Sequence, residues 1–283
     1  MHDGREELAP GLLRLALRTP TLPPATATNT LVVIDERVAI IEPGTPHADE
    51  QARLLAELDA LAASGRPLAA ILLTHHHGDH IGAAEVVRAH TGAPILAHAE
   101  TAARLRFAVD RTLDDGETVT LGPRAVLQAV FTPGHAPGHL VYLERSSGIA
   151  HAGDMIAGEG TILIDPYDGG DMAQYLASLQ RVAGLGARAL VPAHGPVQRE
   201  PAAVLARYVA HRLARETAVL AALHDGPQPW RRCSRAPTPT RRSRCGPWPS
   251  ARSRPTCASS WPRAACGATA STSPRSRADA PRR

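Results

Sequence analysis

Residues 74–80 read Thr-His-His-His-Gly-Asp-His and place His75, His77, Asp79 and His80 within six positions, directly behind the apolar run 68–73. Imidazole nitrogens and a carboxylate form the donor set of zinc or a similar first-row divalent ion. Two histidines at i and i+2 can reach one ion from an extended or tightly turning backbone. Asp79 and His80 then point elsewhere and can begin a second site. A buried strand that ends in such a cluster delivers all four side chains to one point at its C-terminal edge. Ligands for two ions in one segment suggest metal-assisted hydrolysis. A purification tag would be terminal and uninterrupted, whereas this segment is internal and contains an acid.

Three more segments sit just behind apolar, strand-like runs: Thr-Pro-Gly-His-Ala-Pro-Gly-His at 132–139, Ala-Gly-Asp at 152–154 and Pro-Ala-His-Gly-Pro at 192–196. Taken in order with 74–80, they resemble the His-x-His-x-Asp-His signature and downstream ligand elements of the metallo-β-lactamase superfamily. The resemblance implies two divalent ions, zinc ahead of manganese or iron. His75, His77 and His135 would hold one, Asp79, His80 and His194 the other, with Asp154 bridging. It further implies a hydroxide between the ions as nucleophile, oriented by Asp79, which can accept its proton. His139 would support a ligand from behind. The fold implied is an α/β four-layer αββα sandwich.

Gly158, Gly160 and Thr161, then 175–179 and 208–216, resemble the lactamase-beta-2 branch of that superfamily. This branch includes endoribonucleases specific for single-stranded RNA and relatives acting as carrier-protein thioesterases. The expected substrates are therefore single-stranded RNA or, alternatively, a small ester or thioester of the glyoxalase II-like kind. A metal- or nucleic-acid-binding protein without turnover is the remaining reading. The four cysteines, Cys233, Cys245, Cys257 and Cys266, all lie in the last fifth of the chain. No cysteine stands among the expected ligands, unlike the true β-lactamases that place one in the second site.

The elements that must carry these side chains are legible as periodicities. Residues 31–34 and 38–41 read as strands around an Asp-Glu-Arg turn, stopped by Glu42-Pro43-Gly44, where the resembled family usually has Asp. Leu54, Leu55, Leu58 and Leu61 give a helix over 48–63, closed by Ser64-Gly65. A strand at 68–73, a helix over 81–90, a strand at 94–97 and a helix from 98 through 107 follow. Strands are expected at 118–121, 125–131 and 140–144, and amphipathic helices at 171–183 and 201–223. Strands alternating with helices, in hairpins and crossovers, suit two sheets between helical layers. Asp168 reads as a loop acid and Asp171 as a helix N-cap. His211, Arg212, Arg215 and Glu216 read as a solvated helix face. His98 and His151 are expected to satisfy backbone groups near strand ends, and His76 to face solvent or the pocket mouth.

At 283 residues the chain can bury a sizeable core. No apolar stretch is long enough for a membrane span, and residues 1–20 show no signal-peptide pattern. The expectation is a cytoplasmic protein with no obligate protein partner. A catalytic domain over 1–225 is followed by a different kind of sequence over 226–283. From 231 on there are thirteen arginines and one acid, Asp279, with no Leu, Ile, Val, Met, Phe, Tyr, Glu, Lys or His. Removing that net +12 from the chain's +4 leaves residues 1–230 at −8. The tail reads either as a disordered polycationic arm or, preferably, as GC-rich codons translated out of frame, where a small winged-helix domain would be expected.

Overall fold

Alternating leucines open the chain: Leu13, Leu15 and Leu17 face one side of a strand whose other side carries Arg14 and Ala16. In the computed structural model, which describes residues 4–158 and 160–224, this strand, β2 (Leu12–Arg18), lies between β1 (Arg5–Ala9) and β3 (Ala27–Ile34). With β4 (Val38–Ile41) they form an antiparallel meander. Beyond β4 the sheet continues in parallel through β5 (Leu68–Leu72), β6 (Ile95–Ala97) and β7 (Arg111–Thr112). The crossover from β4 to β5 is α1 (Ala48–Ala63).

A second sheet runs in the order β12-β11-β10-β9-β8. Its strands are β8 (Thr118–Thr120), β9 (Val126–Phe131), β10 (Leu140–Glu144), β11 (Ile149–Gly153) and β12 (Ala189–Pro192). The first four are antiparallel and the β11–β12 pair is parallel. Each sheet buries both faces, so Leu31, Val33, Ala39 and Ile41 meet Leu127, Ala129, Leu140 and Tyr142 in the space between sheets. The outer face of the first sheet packs Val32, Val38, Ile40 and Ile71 against Leu54 and Leu58 of α1 and Val87 of α3 (Ala84–Thr91). The outer face of the second packs Val141, Ala150 and Leu190 against Tyr175, Leu179 and Val182 of α5 (Met172–Gly184) and Val204, Leu205 and Tyr208 of α6 (Pro201–Leu223). The architecture is the four-layer αββα sandwich expected above.

Several elements depart from the periodicity. The helix expected over 81–90 is split into α2 (Gly78–Ile81) and α3. The break arises because the Ala83 N–H donates to Pro43 O (2.8 Å), and Gly82 lies so close that a Cβ there would meet Gly44 O at 2.6 Å. The helix expected through 107 stops as α4 (Ala99–Ala102). Thr101 is tied to Gly138 O, and Leu105, Phe107 and Val109 then turn onto the core and lead into β7. Strands β1, β2 and β7 have no counterpart among the expected elements. Among the described residues no helix is long and apolar enough to cross a membrane. The tail over 231–283 lies outside the described residues.

Candidate metal centre

The segments singled out in the sequence leave the C-terminal ends of β5, β9, β11 and β12 and gather at one edge of the sandwich. The structure brings His75, His77, His135 and Asp154 together in one cluster and Asp79, His80 and His194 in another. In the first, His75 Nε2 is 2.9 Å from His77 Nδ1 and 3.2 Å from His135 Nε2. His135 Nε2 is 3.0 Å from His77 Nδ1 and 3.3 Å from Asp154 Oδ2. A tetrahedral ion with bonds of about 2.0–2.1 Å spaces its donors about 3.3 Å apart.

The outer ring atoms decide what these inner nitrogens are. His135 Nδ1 faces Leu163 O at 2.8 Å, so it carries the proton. His77 Nε2 faces a carboxylate oxygen of Asp168 at 2.7 Å and is likewise N–H. His75 Nδ1 lies 2.9 Å from Thr74 Oγ1, whose own proton goes to Glu42, so His75 Nδ1 donates. A neutral imidazole has one N–H and one lone pair, and the tautomer follows from the outer partner. Three lone pairs and a carboxylate oxygen therefore converge, an arrangement that repels itself unless a cation sits among them. Burial, followed by the charges of neighbouring histidines, holds His75 well below the usual imidazole range. Burial lowers His135 in the same direction.

In the second cluster, His194 Nδ1 faces Ala27 O at 3.0 Å and His80 Nδ1 donates to Glu42. Their Nε2 atoms point inward, each 3.4 Å from an Asp79 oxygen and 3.7 Å from an Asp154 oxygen. His80 Nε2 and Asp154 Oδ1 are buried without a hydrogen-bond partner. Burial favours neutral His80, yet the Glu42, Asp154 and Asp79 carboxylates raise it to about 10. Burial likewise opposes the charge on Glu42, which His80 nevertheless pulls down to about 2. Asp79 is lowered despite burial by the hydrogen bond to His194 and the charge of His80. This negative field calls for cations, and Asp154 faces both clusters from between them. The donor set and its spacing fit two divalent ions.

His139 stands behind this front. Its Nδ1 meets Thr132 Oγ1 at 2.9 Å and its Nε2 accepts the Asp154 N–H at 3.1 Å. His151 donates to Asn29 O, and His98 accepts the Glu100 N–H as a helix cap. Two readings need correction. Asp168 is no idle loop acid, since it contacts His76 and His77. Arg212 is not a solvated side chain: its guanidinium stacks over Tyr175, 5.3 Å from the ring centre, and donates to Ile162 O.

Sequence reasoning also passes over Thr21, whose hydroxyl donates to Asp79 Oδ2 at 2.6 Å. Glu42, in the sequence only a departure from the resembled pattern, anchors both Thr74 and His80. A threonine directly before the histidine run is the one local signal for such support.

The family model described as the metallo-beta-lactamase superfamily matches residues 23–194. The lactamase-like protein vrtG of Penicillium aethiopicum is 32% identical over 224 residues, covering 77% of this chain and 67% of that protein. A hydroxyacylglutathione hydrolase of Acidiphilium cryptum is 40% identical over 136 residues, 48% of this chain and 54% of that one. The crystal structure of a metallo-beta-lactamase family protein from Thermus thermophilus superposes with a TM-score of 0.64 at 25% identity, covering 78% of this chain and 85% of its own.

Proposed function

The chain belongs to the metallo-beta-lactamase superfamily, and on that premise we propose that residues 1–225 form a two-metal hydrolase of acyl thioesters. The observation that carries the substrate class is the exposure of large apolar side chains at positions next to the ligand clusters. Leu22 (66% exposed), Leu163 (57%) and Tyr167 (98%) are large apolar side chains left open to solvent. Each is, or adjoins, a residue that touches the ligand clusters: Thr21 on Asp79, Leu163 itself on His135, and Asp168 on His77. Gathered at the entrance to the site, these side chains would suit an acyl chain. They would suit a polyanion less well, because phosphate recognition leans on basic contacts and residues 1–230 carry a net charge of −8. A hydroxyacylglutathione is itself a thioester, so the name of the Acidiphilium relative supports the same class. Single-stranded RNA remains the competing substrate, on the motif likeness to the lactamase-beta-2 branch.

When bound, two divalent ions, zinc first, would lower the pKa of water toward about 7 and polarise the scissile carbonyl. His75, His77 and His135 would hold one ion, Asp79, His80 and His194 the other, and Asp154 both. Asp79, steadied by the Thr21 hydroxyl, would orient the attacking water and take its proton. His139 keeps Asp154 in place through the backbone N–H.

The test measures metal content of the purified chain and turnover of a medium-chain acyl thioester beside a labelled single-stranded RNA. About two ions per chain, thioester cleavage and loss of it on chelation are expected. RNA cleavage without thioester cleavage would overturn the substrate assignment. A folded chain with neither metal nor turnover would overturn the hydrolase.

A further inference from the structure

Five histidines face the two clusters, and each is oriented from behind by a second group. For His75, His80 and His194 that group sits on a strand or just past a strand's end: Thr74 after β5, Glu42 after β4 and Ala27 in β3. For His77 and His135 it comes from a single loop, residues 157–170, between β11 and α5. Leu163 O takes the His135 Nδ1 proton at 2.8 Å, and Asp168 Oδ2 takes that of His77 Nε2 at 2.7 Å. Thus one loop orients two of the three histidines of one cluster.

Among its described residues, the loop is held at several points. The Tyr208 hydroxyl brackets Ala157, contacting its N–H at 2.9 Å and its carbonyl at 3.0 Å. The Gly158 N–H donates to His194 O, and Arg212 donates to Ile162 O, whose side chain is buried. Asp165 receives the Tyr167 N–H on its side chain and the Asp168 and Gly170 N–H groups on its carbonyl. At the far end, Gly169 sits at φ 80° so close to Pro137 that a Cβ would meet the ring at 2.6 Å. The Asp171 N–H donates to Gly134 O, one residue before His135.

We infer that Asp168 is a positioning residue for the His75/His77/His135 ion, fixing the tautomer and tilt of His77 so that its Nδ1 lone pair is presented to the ion. The inference rests on the metal reading above. Among the outer partners of these three histidines, Thr74 and Leu163 offer neutral oxygens, while Asp168 brings a charge. A carboxylate behind a ligating imidazole strengthens its donor nitrogen, and its loss weakens metal affinity about 10–100-fold. The alternative is an ordinary ion pair at the surface, since the Asp168 side chain is 48% exposed. Such a pair would contribute little to anything. His76 Nε2 shares the same carboxylate at 3.2–3.3 Å, which steadies it across the two rings.

Stepwise Co2+ binding to the whole chain, followed by visible absorption and chelator competition, separates the two. Asp168→Ala is expected to weaken one of two Co2+ equivalents about 10–100-fold, to alter its absorption band, and to leave the other equivalent unchanged. Asp168→Asn, which keeps an oxygen acceptor without the charge, should fall between Ala and wild type. Circular dichroism checks that both variants keep the fold. Two equivalents bound by Asp168→Ala with wild-type affinity and spectrum would overturn the inference alone. A wild-type chain that takes up no Co2+ would overturn the metal reading and this inference with it.

Discussion

Glu42 shows how much one residue can carry. It occupies the left-handed region at φ 63°, the one non-glycine residue among those described to do so, and its side chain is fully buried. Strain of this kind persists only where the surroundings over-determine the conformation. Here the Glu42 N–H donates to Leu72 O, its carbonyl takes the Thr30 hydroxyl, and its carboxylate takes Thr74 and His80. The carboxylate thus connects both clusters, directly to His80 and through Thr74 to His75. Removing one partner of a buried, hydrogen-bonded charge pair leaves the other uncompensated. Glu42→Ala should therefore destabilise the chain by about 3–5 kcal/mol. Urea denaturation of the chelator-treated chain at neutral pH, where no ion competes for His80, measures this, and a cost below about 1 kcal/mol would show that the pair does not act as described.

At the scale of elements, ligand placement depends on tight joints between strand ends and helix starts. Gly134 has φ 127°, and a Cβ there would meet Tyr175 N at 2.1 Å and Tyr175 Cα at 2.4 Å. The first turn of α5 therefore presses onto the loop that carries His135, and both obstacles are backbone atoms that cannot swing aside. Gly134→Ala combines overpacking with backbone strain and should cost about 3 kcal/mol or more. It should also shift His135 and lower metal content. Calorimetry with metal analysis tests this, and an unchanged melting temperature would contradict the packing argument. The same joints explain what can be read from the residues alone. The ligand segments are legible because donor chemistry is local, and α1 and α6 because their apolar spacing is long and regular. The split between α2 and α3 is not, since it depends on Pro43 O, some forty residues away. The role of Asp168 is hidden for a similar reason: its partners His76 and His77 lie about ninety residues earlier.

Across the whole molecule, the two sheets must be fastened at both ends. Strand β3 begins at the metal edge, where Ala27 O meets His194, and after its eight residues ends at Ile34, beside Asp35. There Asp35, although only 1% of its side chain is exposed, reaches the second sheet just before β9. It accepts the backbone N–H groups of Arg124 and Ala125 and the Arg124 guanidinium. The Arg124 N–H outweighs the opposing effect of burial and, with the guanidinium and the Ala125 N–H, holds this carboxyl below its ordinary value. A group whose folded pKa is depressed contributes stability above its unfolded pKa and loses that contribution as pH falls through the folded value. The relevant window begins near the ordinary Asp pKa of about 3.9 and extends below it. Asp35→Asn should melt below wild type at pH 7, with the difference narrowing from about pH 4 downward. Both chains are compared after chelation, so that protonation of metal ligands does not enter the difference. A gap that stayed constant down to the lowest pH at which the fold survives would mean that the contact acts through shape alone. The charge of Asp35 would then have no part in joining the sheets.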